Sequence, residues 1–184
     1  LGNVEGGYGL PANRYLGKAF GMGYTDKIRM TAFANLNNIK DTQSGGSSGQ
    51  WGGGWAQDGE LDVKIGGVDY LYSRNRTKIQ GNVMLTHEKP HVERMTSTVS
   101  FFSSNDIYGR SFSRSDEKKI HLLSSHQFRF SGERFYLEVT PSVDYLTNNY
   151  LRLSRSAQFT ANPQEKYRAE SLDSLFALGG LNSI

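Results

Sequence analysis

Cysteine is missing altogether, and proline (4 residues) and tryptophan (2) are scarce in this chain of 184 residues. Without cysteine there is no disulfide framework, no thiolate metal site and no cysteine nucleophile. No run of about 18 apolar residues occurs, so no transmembrane helix is encoded. Net charge is only +3, from 21 Lys and Arg against 18 Asp and Glu. The basic residues are scattered, which is not the footprint of a nucleic-acid-binding surface. What is present in excess is glycine (21), with ten tyrosines and ten phenylalanines. At this length one domain is the default. A transmembrane β-barrel stays open, because its signal is a weak alternation and not a long apolar run.

Alternation with period two dominates before residue 165, and helical spacing is nearly absent. Ile28, Met30, Ala32, Ala34 and Leu36 fall on one face of a strand, with Arg29, Thr31, Phe33, Asn35 and Asn37 on the other. The preceding stretch puts Leu16, Phe20, Met22 and Tyr24 on one side and Gly17, Ala19, Gly21 and Gly23 on the other. Further alternating stretches cover 78–86, 119–130 and 135–145. Leu61 to Tyr72 is strand-like but slips phase near Gly66-Gly67, where we expect a bulge. Short turns are expected at 25–27, 73–77 and 131–133, and a long polar loop at 40–59. If Thr77–Phe102 and Ile107–Ser131 are two long strands, all short turns share one rim. Such strands exceed the ~9–11 residues that cross a bilayer. Their surplus is polar, as in His87-Glu88-Lys89-Pro90-His91 and Arg110 to Lys118.

Short turns on one rim and long loops on the other form the outer-membrane barrel pattern. Tyr24, Tyr70, Tyr72, Phe128, Phe130 and Phe135 gather beside the short turns, as an interfacial aromatic girdle would. Arg29, Asn35, Gln80, Asn82, Arg129, Glu138 and Asp144 occupy the opposite faces and are candidate lumen residues. Lys18 and His126 fall on nominally lipid-facing phases and count against the scheme. A soluble β-sandwich also alternates and is the rival.

Two motifs match by letters only. His87 to His91 reads H-E-x-x-H, but zincins need it on a helix, and Pro90 sits inside it. In a strand, residues four apart are ~13 Å from each other, too far for one zinc ion. Gly45 to Gly49 reads G-x-S-x-G without the strand and helix that a nucleophile elbow requires. His121 and His126, five apart on a strand, point to opposite faces and are no chelating pair. Trp51 and Trp55 share the Gly-rich loop and are candidate ligand contacts on an extracellular loop; packing against neighbours is the alternative. Neither an enzyme nor a cofactor is expected.

Gly6-Gly7-Tyr8-Gly9 with Arg14-Tyr15-Leu16-Gly17-Lys18-Ala19-Phe20 resembles a segment of Bacteroidota outer-membrane β-barrel proteins. Phe33 to Ile39, Gly66 to Leu71, Gly81-Asn82-Val83 and Phe112 to Ser115 resemble later segments of the same group, in the same order. The resemblance implies barrels of TonB-dependent-receptor type, with a carboxypeptidase-regulatory-like domain and a plug elsewhere in the parent chain. It implies import across the outer membrane of a Gram-negative bacterium, with outer-membrane lipid, TonB and a surface lipoprotein as partners. The expected fold is all-β, antiparallel and up-and-down, over residues 1–164. Residues 165–184 are expected to form a loop or a short amphipathic helix. With about seven or eight strands against 22 in such transporters, the chain is expected to be an internal stretch of a larger barrel. A complete eight-stranded anchor or adhesin barrel and a glycan-binding soluble sandwich are the alternatives.

Overall fold

The computed structural model describes residues 1–46, 51–54, 59–103, 105–160 and 162. The stretch 165–184 and Trp55 lie outside the described residues. Among the described residues ten strands follow in order: β1 (Gly2–Gly9), β2 (Arg14–Tyr24), β3 (Ile28–Asn37), β4 (Ser44–Gly45), β5 (Trp51–Gly52), β6 (Glu60–Arg74), β7 (Thr77–Ser100), β8 (Ile107–Ser131), β9 (Tyr136–Val139) and β10 (Ser142–Phe159). Eight of them form one sheet in the order β1-β2-β3-β6-β7-β8-β10, with β9 also paired to β8. Successive strands of the sheet are neighbours, so the connections are up-and-down. Among the described residues the sheet is not closed, and β1 and β10 are its end strands. Strands β4 and β5 pair separately as a small hairpin.

Contacts divide the chain into two compact units. The first combines Leu1–His91 with Glu117–Tyr150; the second combines Val92–Asp116 with the described residues from Leu151 on. In the second unit Arg114 binds Asp116 at 2.9 Å, and a cavity of about 250 Å³ is lined by Thr96, Thr98, Arg110 and Gln158 among others.

In the first unit the short turns lie side by side. The Ser73 amide donates to the Lys27 carbonyl, and the Ser131 amide donates to the Arg76 carbonyl. Asn75 takes a positive φ of 49° in the β6–β7 turn, a conformation that Asn adopts more readily than most residues. The two long strands hold 24 and 25 residues.

Two expectations about the strands are corrected. There is no bulge at Gly66-Gly67: pairing runs one-to-one through both residues, Ala34 opposite Gly66 and Phe33 opposite Gly67. The apolar residues change face while the backbone keeps its phase. Leu61, Val63 and Ile65 point to one face and Val68, Tyr70 and Tyr72 to the other. The stretch expected as one strand over 135–145 is interrupted at 140–141, because Pro141 has no N–H to donate to a ladder.

Register fixes which residues share a face, since directly paired residues point the same way. One face, here the loop face, carries the β4–β5 hairpin. Its small core is Phe20, Phe33, Leu61, Val63 and Ile65. The other, the open face, exposes Ile28, Met30, Leu36, Val83, Leu85, Phe130, Leu137 and Val139.

The face assignment of β2 is also corrected. Leu16, Lys18, Phe20, Met22 and Tyr24 pair with Asn37, Asn35, Phe33, Thr31 and Arg29, so all lie on the loop face. The bare side, Gly17, Ala19, Gly21 and Gly23, looks outward. Lys18 thus ceases to be an anomaly, and Tyr24 does not share a face with Tyr70 and Tyr72.

Candidate functional site

The loop face is built in three levels. At the level farthest from the short turns, β3 seats the loop that follows it. Asn35 and Asn37 are 0% exposed. The Asn35 Nδ2 donates to the carbonyls of Asp41 and Gln43, and the Asn37 Nδ2 donates to Asp41 and to the Asn35 Oδ1. The Asn37 Oδ1 accepts from the amides of Ile39 and Asp41. Two amide side chains thereby satisfy backbone groups of the loop beyond the bond from the Thr42 amide to the Gly54 carbonyl, as buried polar backbone demands. Lys18 reaches the same place from β2. Its ammonium pairs with the Asp41 carboxylate, donates to Gln43 Oε1 at 2.8 Å and lies 5.0 Å from the Trp51 ring centre. Both charges are almost fully buried, and each compensates the desolvation of the other.

Trp51 packs edge-on against Phe33, with ring centres 6.2 Å apart. A Cβ on Gly67 would stand 2.6 Å from the Phe33 ring, so only glycine leaves that ring its place. Trp51 therefore takes part in packing of the loop against the sheet.

The middle level runs across the sheet through Thr31, Asp69, Asn82, Ser125 and Ser142. Thr31 pairs with Asp69, and Asp69 with Asn82. The level nearest the short turns is cross-linked. Gln80 donates to Gln127 at 2.7 Å, Gln127 donates to Glu138, and Arg129 holds Glu138 at 3.2 Å. Tyr136 also donates to Glu138. His121 and Asp144 meet at 2.8 Å between β8 and β10.

All seven expected lumen residues thus share the loop face. Arg29, Gln80, Asn82, Arg129, Glu138 and Asp144 are only partly covered or exposed there, while Asn35 is sealed beneath the loop. Asn37, Asp41, Asp69, Ser125 and Gln127 were not singled out from sequence, and Lys18 was named only as an exception to the lipid-facing phase. Asn37 and Gln127 carried a usable signal, being polar residues in phase with chosen ones. Asp41 carried none, since its place depends on how the loop folds back.

On the open face Tyr70 and Tyr72 pair with Met30 and Ile28, and Phe128 and Phe130 pair with Val139 and Leu137. Phe135 lies in the adjoining turn, its ring over Gly132. Four of the six expected girdle residues therefore share the open face near the short turns, Phe135 lies in a turn, and Tyr24, although beside a short turn, is on the loop face. His126 also lies on this face, opposite in direction to His121. Its Nδ1 meets the Tyr70 hydroxyl at 2.8 Å and its Nε2 meets the Ser124 hydroxyl at 2.7 Å. Both ring nitrogens are thus engaged, and the ring stacks on Tyr70 at 5.8 Å over Gly81.

His87 to His91 is extended within β7, pairing with Lys64 to Glu60, so the zincin reading fails for want of a helix. Burial first, and then Lys89, Lys118 and Lys64, hold His87 below its ordinary pKa of 6.5. Among the described residues no group of three or more His, Cys, Asp or Glu could hold a metal ion, and no helix is long and apolar enough to cross a membrane. No protein-family model matches the chain, and no curated protein and no solved structure matches it.

Proposed function

We propose that the chain forms part of an outer-membrane β-barrel of TonB-dependent-receptor type, which imports a substrate across the outer membrane of a Gram-negative bacterium. The observation that carries this reading is the inversion on β3. Ile28 and Leu36 are 48% and 46% exposed, while Thr31, Asn35 and Asn37, in alternation with them, are 0–1% exposed. This strand buries two asparagines and a threonine alongside Phe33 and presents Ile28, Met30 and Leu36 outward. Lipid makes that arrangement favourable, because aliphatic side chains then meet hydrocarbon.

The extent of the apolar surface supports the same reading. From Ile28 to Leu36 the strand covers roughly 26 Å at ~3.3 Å per residue, which a tilt of about 40° shortens to roughly 20 Å, most of the ~25 Å apolar band of such barrels. Lys64 and His87, paired beside Leu36, mark its polar limit. A soluble sandwich needs two stacked sheets, and among the described residues the second sheet is a pair of two-residue strands. A complete eight-stranded barrel needs β1 paired with β10, a pairing absent among the described residues. Further strands of a longer barrel satisfy both edges. In this reading lipid covers the open face, and a TonB-type partner and a surface lipoprotein act through the parent chain.

Fractionation of cells making the full-length protein tests the proposal. It is expected to sediment with the outer membrane and to need detergent for release. Recovery in the soluble periplasm rejects it.

A further inference from the structure

The open face changes character abruptly at one height. From Ile28 to Leu36, Gly66 to Tyr72, Ile79 to Leu85 and Ile120 to Phe130, no Asp, Glu, Lys or Arg points to this face. At the next two levels away from the short turns it carries Lys64, Lys89 and Lys118. Lys64 pairs with His87, and Asp62 with Lys89. Gln80 meets Gln127 and Glu93 meets Arg114, and the same register sets Lys89 opposite Lys118. The three lysines thus come from three adjacent strands, about 10 Å across at ~4.8 Å per strand. All three stand near enough to His87 to act on its charge. Lys89 and Lys118 are exposed and form no ion pair among the described residues. Like charges directly opposite on neighbouring strands repel; Glu93 and Arg114, on the same two strands, offset one another. The one carboxylate at these levels of β6, β7 and β8 is Asp62. It lies 3.9 Å from Lys64, and its other oxygen accepts from the Tyr15 hydroxyl at 2.6 Å. Three cations therefore face a single, already engaged carboxylate.

We propose that Lys64, Lys89 and Lys118 bind the phosphate headgroup of a glycolipid in the outer leaflet, whose acyl chains lie along the charge-free band beside them. The proposal rests on the outer-membrane reading, in which the rim away from the short turns faces the cell exterior. The outer leaflet of a Gram-negative cell is built largely of phosphorylated glycolipids, and clustered basic side chains at a membrane boundary recognise such headgroups. Lysine holds phosphate as a point charge. Its long stem follows the apolar surface while the ammonium stays at the boundary, so ammonium groups from different strands can converge on one phosphate. A phosphate between Lys89 and Lys118 turns their mutual repulsion into two attractions. The absence of charge on the face below matches the acyl chains as the lysines match the headgroup.

The site is tested on the full-length protein in neutral detergent, titrated with monophosphoryl lipid A and followed by native mass spectrometry. The lipid is expected to bind, and its phosphate-free analogue to bind much more weakly. Lys89→Gln and Lys118→Gln are each expected to weaken binding about tenfold, the scale of one hydrogen bond to a charged group. Lys118→Arg keeps the charge and is expected to keep the affinity. Lys119→Gln, next in sequence but on the loop face, is expected to change nothing. Circular dichroism confirms that each variant is folded; Lys64→Gln serves where one is not. The inference is overturned by equal binding of the phosphate-free analogue or of phosphatidylglycerol. Displacement of the lipid by free inorganic phosphate overturns it too, as do losses no greater for Lys89→Gln and Lys118→Gln than for Lys119→Gln. A protein that resides in the outer membrane yet binds the lipid without regard to these lysines fails here alone. One that binds it through them but fractionates as soluble overturns the outer-membrane reading alone.

Discussion

Lys18 and Asp41 show how a single pair can decide the shape of a much larger piece. Their charges are buried together, and Asn35 and Asn37 hold the backbone around them. Lys18→Met leaves the Asp41 carboxylate buried without its cation and is expected to cost about 3–5 kcal/mol. Lys18→Met with Asp41→Asn is expected to recover most of that, since an amide at 41 still accepts from the Gln43 amide. Denaturant unfolding in detergent reads both values. At Gly67 the constraint is steric. Gly67→Ala places a methyl 2.6 Å from the Phe33 ring and 2.9 Å from the Val83 carbonyl, and is expected to cost about 1–3 kcal/mol. Phe33→Leu in the same chain should return part of the loss, a coupling that the double-mutant cycle measures.

At the scale of strands, the two faces make opposite demands on neighbouring residues. Val143 and Ser142 are adjacent on β10 and point to opposite sides. In a bilayer Val143→Arg is expected to cost about 2–4 kcal/mol near the midplane, as for other lipid-facing barrel positions. Ser142→Arg lies on the loop face and is expected to cost less than ~1 kcal/mol. Equal effects in a vesicle folding assay would remove the distinction between the faces. Much of this element structure was legible in the sequence. The alternation of β3 and the length of β7 and β8 follow from period and spacing. The faces of β2 were not legible, because Phe20 and Met22 look lipid-facing until Lys18 is seen paired with Asp41. The phase slip in β6 misled for a related reason. Its apolar residues serve two environments, a small core beneath the loop and the outward band, and periodicity alone reports a change of face as a break in the strand.

For the whole molecule, the edges matter most. Strands β1 and β10 end the sheet, and their outward backbone groups have no partner strand among the described residues. Within hydrocarbon such edges do not persist, so additional strands must pair with them if lipid surrounds this wall. The middle level of the loop face could not be read from sequence either. Thr31, Asp69, Asn82, Ser125 and Ser142 come from five strands, and only the lateral register brings them level. The seating of residues 39–43 has the reverse character. Its amide donors and acceptors lie only four to eight positions away, in Asn35 and Asn37. That segment therefore behaves as a cassette whose stem conformation is specified nearby. An insert grafted after Gln43 that keeps Lys18, Asp41 and the two asparagines is expected to leave the wall unchanged.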